Sequence, residues 1–239
     1  MYHFIGTPCK NKYYLKEQDF VAQISLLEEL QIQSFCFDND IDSNNNPICL
    51  ITFDDGHKSN LWAAQLLKEK GLKGVFYVVK DFSLNNPDYL SKNDIKAISE
   101  MGHLIGVHGK DHEWWKLKND AKLVAELKET KEWIENITGK NVVTCSAPGG
   151  GINSKVIKNI KKNFPEFKYI RTSRCGINNM NDVVLNSICI YNDTTLKEFQ
   201  QIVIPNVWLY LRLGVIYYLK ECLKMPYFSI KRLLGLKVE

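Results

Sequence analysis

Short apolar runs of strand length alternate with helix-period segments along most of this chain, and that alternation sets the reading of its fold. Residues 48–53, Ile-Cys-Leu-Ile-Thr-Phe, are six apolar or β-branched positions following Pro47, the pattern of a strand covered on both faces in a parallel sheet. Residues 60–70 predict a helix ended by Gly71, and residues 74–79 predict the next strand, which completes a β-α-β unit. Upstream, Phe20, Ile24, Leu26, Leu27 and Leu30 give an amphipathic helical pattern within residues 15–38, followed by an Asp- and Asn-rich loop over 38–46. Ser91 with Asp94 resembles a capping box that opens a helix running to about Met101, ahead of a third short strand over 102–107. Residues 119–136 place Leu123, Leu127 and Ile134 on one helix side, with a stop near Gly139. A strand over 142–146, the loop 147–151, a helix over 154–163 and a strand over 168–173 continue the alternation. Strand and helix in turn, without an internal repeat, predict a single α/β domain over 1–239 with a parallel sheet.

The segment after Pro205 departs from this pattern. Residues 207–219 are intensely apolar but carry Arg212 at their middle, and the run is shorter than the roughly 20 residues that span a bilayer. A helical segment over 205–239 therefore either covers the core or forms a basic, aromatic surface against the inner face of a membrane. Charge sharpens the second reading: six basic residues (Arg212, Lys220, Lys224, Lys231, Arg232, Lys237) stand against Glu221 and Glu239 in this segment, accounting for the whole net charge of +4. The rest of the chain is balanced, so no basic field of the size nucleic acid needs is present there. Hydrophobic content of 45% and charged content of 24% are ordinary for a globular protein. Residues 1–10 lack a basic region followed by an apolar stretch, so a cytoplasmic location is expected. Seven scattered cysteines without a C-x-x-C pair argue against a disulfide framework or a cysteine zinc site.

Chemistry concentrates at the end of the 48–53 run, where Asp54, Asp55 and Gly56 follow; carboxylates at the carboxyl end of a parallel strand stand where α/β barrels keep their active sites. His108 and His112 lie four residues apart, a spacing that one helical turn would bring to the same side. Two imidazoles with an aspartate make the ligand set of an open catalytic Zn²⁺ or similar divalent site. The H-x-x-x-H spacing is common by itself; its combination with the paired aspartates is not.

Thr52-Phe53-Asp54-Asp55-Gly56, the stretch 102–108 leading into His112, and Pro148-Gly149-Gly150 resemble carbohydrate esterase family 4, the NodB-type polysaccharide deacetylases, over roughly residues 47–175. The resemblance implies a distorted (β/α)₇ barrel with a divalent metal, Zn²⁺ foremost and Co²⁺, Ni²⁺ or Mn²⁺ as alternatives. It implies Asp55, His108 and His112 as ligands, Asp54 as the base and a backbone N–H near Gly149 for the oxyanion. His103 is not a ligand position in the family and is expected to be structural. Trp114 is a candidate for stacking on a sugar, with core packing as the other reading.

Two departures stand out. Cys145, Ser146 and Ala147 occupy the region where many members carry an arginine, so Arg171 or Arg174 is expected to reach in from the next strand. Typical members also carry a late histidine that protonates the leaving amine, but no histidine follows His112. His57 after the Asp-Asp-Gly turn, or Asp54 itself, is expected to supply that proton. The implied activity is removal of an N-acetyl group from a sugar or lipid-linked glycan precursor of surface polysaccharide. The alternatives are a deformylase or other N-acyl amidase on a sugar, and a carbohydrate-binding protein with little turnover.

Overall fold

The computed structural model describes residues 1–6, 11–34, 48–179, 181–204, 206, 208–216 and 219. Its elements in chain order are β1 (Phe4–Ile5), β2 (Tyr14–Leu15), α1 (Glu17–Glu29), β3 (Gln33–Ser34), β4 (Ile48–Cys49) and β5 (Ile51–Phe53). There follow α2 (Asn60–Glu69), β6 (Gly74–Val78), α3 (Lys80–Asn85), α4 (Lys92–Glu100), β7 (Leu104–Val107) and α5 (Asp120–Thr138). Then come β8 (Thr144–Ser146), α6 (Ser154–Asn163), β9 (Tyr169–Arg171), β10 (Val184–Leu185) and α7 (Leu196–Val203). The polar loop expected over 38–46 lies outside the described residues, as does the chain from 220 onward; of the segment expected to be helical over 205–239, residues 208–216 are helical.

Local signals set the helix boundaries. Ser91 and Asp94 make the expected capping box, the Ser91 side chain accepting from the Asp94 N–H and the Asp94 carboxylate from the Ser91 N–H at 2.8 Å. Asn119 caps α5 by accepting from the Lys122 N–H, and the helix ends on Gly139 at φ 67°.

Six parallel strands form one sheet in the order β10-β9-β8-β7-β6-β5. The N-terminal segment stands between its two edges: Tyr2 bridges Phe53 in parallel, while the Ile190 N–H donates to the Met1 carbonyl at 2.9 Å just beyond β10. The sheet thus curls into the expected distorted (β/α) barrel. Phe53, Phe76 and Val107 point outward into the main core against the helices, with Phe20, Leu67, Ile95, Leu127 and Ile160. Val75, Tyr77 and Leu185 fill the interior of the curl. Gly106 is required there, because a Cβ would lie 2.5 Å from the Tyr77 ring.

Candidate active site

β5 delivers Asp54 and Asp55 at its carboxyl end, after the buried Thr52 and Phe53. The chain then turns sharply, with Asp55 at φ 69° and Gly56 at φ 72°; a side chain on Gly56 would press on Val78 at 3.1 Å. A left-handed aspartate is uncommon, and strain of this kind collects at functional sites. β7 delivers His108, whose Nδ1 donates to the Ser146 carbonyl at 2.9 Å, which turns Nε2 toward the two aspartates.

His112 reaches the same place, but by a different route from the helical turn expected from the spacing. Residues 108–112 are a loop that bends through Gly109 at φ 87° and His112 at φ 60°. Glu126 of α5 holds this loop by accepting from the Lys110 N–H at 2.8 Å. The buried Lys118 Nζ pairs with Glu126 and with Asp111, so Asp111 faces lysine and not the two histidines.

Asp55 Oδ1 stands 3.3 Å from His108 Nε2 and 3.1 Å from His112 Nε2. That oxygen is buried with no well-directed hydrogen bond, and its two near neighbours are the ring nitrogens. The three ligand atoms lie within 4.8 Å of one another. Burial opposes charge on Asp55, but His108 and His112 hold its pKa well below the usual carboxylate range. Burial likewise pulls His112 down, and Asp55 wins by raising it. One carboxylate oxygen and two imidazole nitrogens that converge on one point are the donor set of an open divalent site, so these residues fit a divalent metal.

Beside them lies Asp54, its Oδ2 3.7 Å from His108 Nε2. Arg171, at the end of β9, donates from Nη2 to both Asp54 oxygens and to the Ser146 hydroxyl, with its guanidinium 5.1 Å from the Tyr77 ring centroid. Burial alone would raise the Asp54 pKa, yet Arg171, His108 and His3 bring it below the ordinary value. Arg171 is therefore the arginine that reaches in. Arg174 does not line the cavity; its backbone N–H caps onto the Thr172 hydroxyl at 3.2 Å.

A further histidine of the cavity, which the motif reading passed over, is His3. Tyr2 pairs with Phe53, so His3 and Asp54 stand level on neighbouring parallel segments and both line the cavity. Burial lowers the His3 pKa, partly offset by Asp55 and Asp54. His57, expected as the proton donor, does not line that cavity. Its Nδ1 contacts the Ser59 hydroxyl at 2.8 Å, and its ring sits edge-on among Phe4, Tyr14 and Tyr89. The signal for His3 was available only as a short N-terminal Tyr-His-Phe-Ile run, too brief to be read as a strand. His103 is structural as expected, taking the Gly74 N–H on Nδ1 at 3.2 Å and facing the Ala64 carbonyl with Nε2 at 2.8 Å.

Trp114 packs beneath the glycine loop, where Cβ atoms on Gly149 and Gly151 would lie 2.5 and 2.6 Å from it, and Lys116 covers its ring at 4.4 Å. It does not line the cavity, whereas Gly149 and Gly150 do. The cavity measures about 630 Å³, with Asp54, Asp55, His108, His112, Arg171 and His3 in its walls.

The polysaccharide deacetylase family matches residues 42–164. A peptidoglycan-N-acetylglucosamine deacetylase of Bacillus cereus is 24% identical over 168 residues, covering 66% of this chain and 58% of that protein. Chitin deacetylase 1 of Saccharomyces cerevisiae is 33% identical over 113 residues, covering 47% of this chain and 35% of that protein. The chain thus spans between about a third and three fifths of these curated relatives. Among solved structures, the Streptococcus pyogenes deacetylase PplD in complex with acetate superposes with a TM-score of 0.76 at 18% identity, covering 85% of this chain and 96% of that one. A polysaccharide deacetylase from Bacillus cereus gives 0.72 at 25% identity, covering 84% of this chain and 67% of that one. With the family's match extending over half of the sequence and its fold reproduced, the chain belongs to the polysaccharide deacetylase family.

Proposed function

We propose that the chain is a metal-dependent deacetylase that hydrolyses the N-acetyl group of an amino sugar within a glycan. The observation that carries this reading is the convergence of Asp55, His108 and His112 beside the arginine-paired Asp54 in one cavity. A divalent ion held by those three residues, Zn²⁺ best matching two imidazoles and a carboxylate, would polarise the amide carbonyl and make a water acidic near neutral pH. Asp54 is the base. Arg171 keeps it charged and fixes its oxygens, so it takes the proton of the attacking water. The Gly149 backbone, in the cavity wall, donates to the carbonyl oxygen as negative charge develops.

His3 supplies the proton for the leaving amine. It lines the same cavity on the segment next to Asp54, where its imidazolium is the acid within reach of the amine nitrogen. Water's oxygen ends on acetate, and the sugar leaves as the amine. The names of the relatives, peptidoglycan N-acetylglucosamine and chitin, support an N-acetylated amino sugar as substrate. The same reading extends to a lipid-linked precursor of surface polysaccharide handled on the cytoplasmic side.

Asp54→Asn tests it. Acetate release from chito-oligosaccharides is expected to fall by about 10²–10⁴-fold while bound zinc, measured by atomic emission, stays at the wild-type level. Wild-type protein that holds the metal but releases neither acetate nor formate from any N-acyl amino sugar would overturn the proposal.

A further inference from the structure

The helix over residues 208–216 has two different apolar faces. Leu209, Leu213 and Ile216, spaced at i, i+4 and i+7, line the cavity that holds Asp54 and the candidate metal ligands. Trp208, Leu211 and Val215 fall on a neighbouring strip of the same helix and are turned outward, with exposures of 82%, 57% and 60%, and Leu219 is exposed as well at 59%. Arg212 lies between the two, exposed and at the cavity rim. Large apolar side chains in one exposed strip are what soluble surfaces avoid, and such strips mark interaction sites.

Charge selects the occupant. Residues 205–239 hold six of the 31 basic and two of the 27 acidic residues, leaving 25 of each elsewhere, so the net positive charge of the molecule belongs to the segment that carries the strip. A tryptophan and aliphatic residues flanked by Arg212, in a sequence segment rich in lysine and arginine, suit an anionic lipid surface, where apolar side chains enter the headgroup boundary and cations meet phosphate. Among the described residues no helix is long and apolar enough to cross a membrane, so the contact is interfacial.

We infer that the helix over residues 208–216 docks the protein on an anionic phospholipid surface, with the opening of the active-site cavity held at the headgroups by the same helix. The inference deepens the deacetylase reading and rests on it for one consequence: the sugar is presented at the bilayer, as a glycan on a lipid carrier. Docking itself does not depend on turnover.

The test is flotation of the full chain with vesicles of phosphatidylcholine alone or with about one quarter phosphatidylglycerol, an anionic content on the scale of cytoplasmic leaflets. Binding is expected only with the anionic lipid and should weaken as salt rises. Leu211→Glu with Val215→Glu should reduce the bound fraction about tenfold, with acetate release from soluble chito-oligosaccharides unchanged. Absence of flotation with anionic vesicles, or flotation indifferent to the double substitution, overturns the inference. So does a dimer in sedimentation that the double substitution dissociates, since a second copy would then cover the strip. A wild type that floats but never releases acetate leaves docking standing and removes the deacetylase reading alone.

Discussion

His3 and Asp54 stand side by side at the cavity because a parallel register places residues one step beyond a bridged pair at the same height. The Asp54 N–H donates to the Tyr2 carbonyl at 2.9 Å, which locks that register. His3→Gln is expected to lower kcat for deacetylation by about 10²–10⁴-fold with metal content unchanged, whereas His57→Gln should leave kcat within a few-fold of wild type. A steady-state comparison of the two variants checks the assignment; equal losses would return the donor role to neither residue. The two candidate ligands with left-handed backbone, Asp55 and His112, are costly conformations for residues bearing a Cβ. Their retention at one spot is understandable if the carboxylate and imidazole are needed where the backbone must turn.

At the scale of elements, α5 does more than cover the sheet. Glu126, buried on its inner side, receives the Lys110 N–H and the Lys118 ammonium, and so ties the His108–His112 loop to a helix. Glu126→Ala leaves a buried lysine with one partner fewer and frees the loop. Zinc affinity, read by competition with a chromophoric chelator, is expected to drop about 10–100-fold, the range found when groups supporting metal ligands are removed. The sheet interior makes an independent prediction. Gly106→Ala forces a methyl group against Tyr77, whose hydroxyl is held by Thr144 at 2.9 Å and whose ring supports Arg171. Overpacking of this kind costs about 1–3 kcal/mol, to be measured as a shift in the denaturation midpoint, and it disturbs the arginine that fixes Asp54.

At the scale of the molecule, binding at the curl's carboxyl end should stabilise the whole fold, because Asp55, His108 and His112 come from two strand ends of one sheet. Free zinc at 100 times its dissociation constant contributes about 2.7 kcal/mol, so chelation is expected to lower Tm by roughly 5–10 °C for a chain of this size. Differential scanning calorimetry with and without chelator checks it, and an unchanged Tm would argue against a metal at these residues. The sequence by itself determined the alternation of strands and helices, the cap at Ser91, and the identity of the paired aspartates and histidines. Those features are local: periodicity, capping and motif spacing act over a few residues, and all are present before the chain folds. Only the tertiary structure decided which side chains stand beside Asp54. Arg171 arrives from 117 residues away, and His3 from a segment of two or three residues whose strand character comes from its neighbour β5 and not from its own composition. The same holds for His57 and Trp114, which proximity in sequence placed at the site and packing turned elsewhere. The adjacency of His3 and Asp54 is set by parallel pairing between distant segments, a relation that no local pattern encodes.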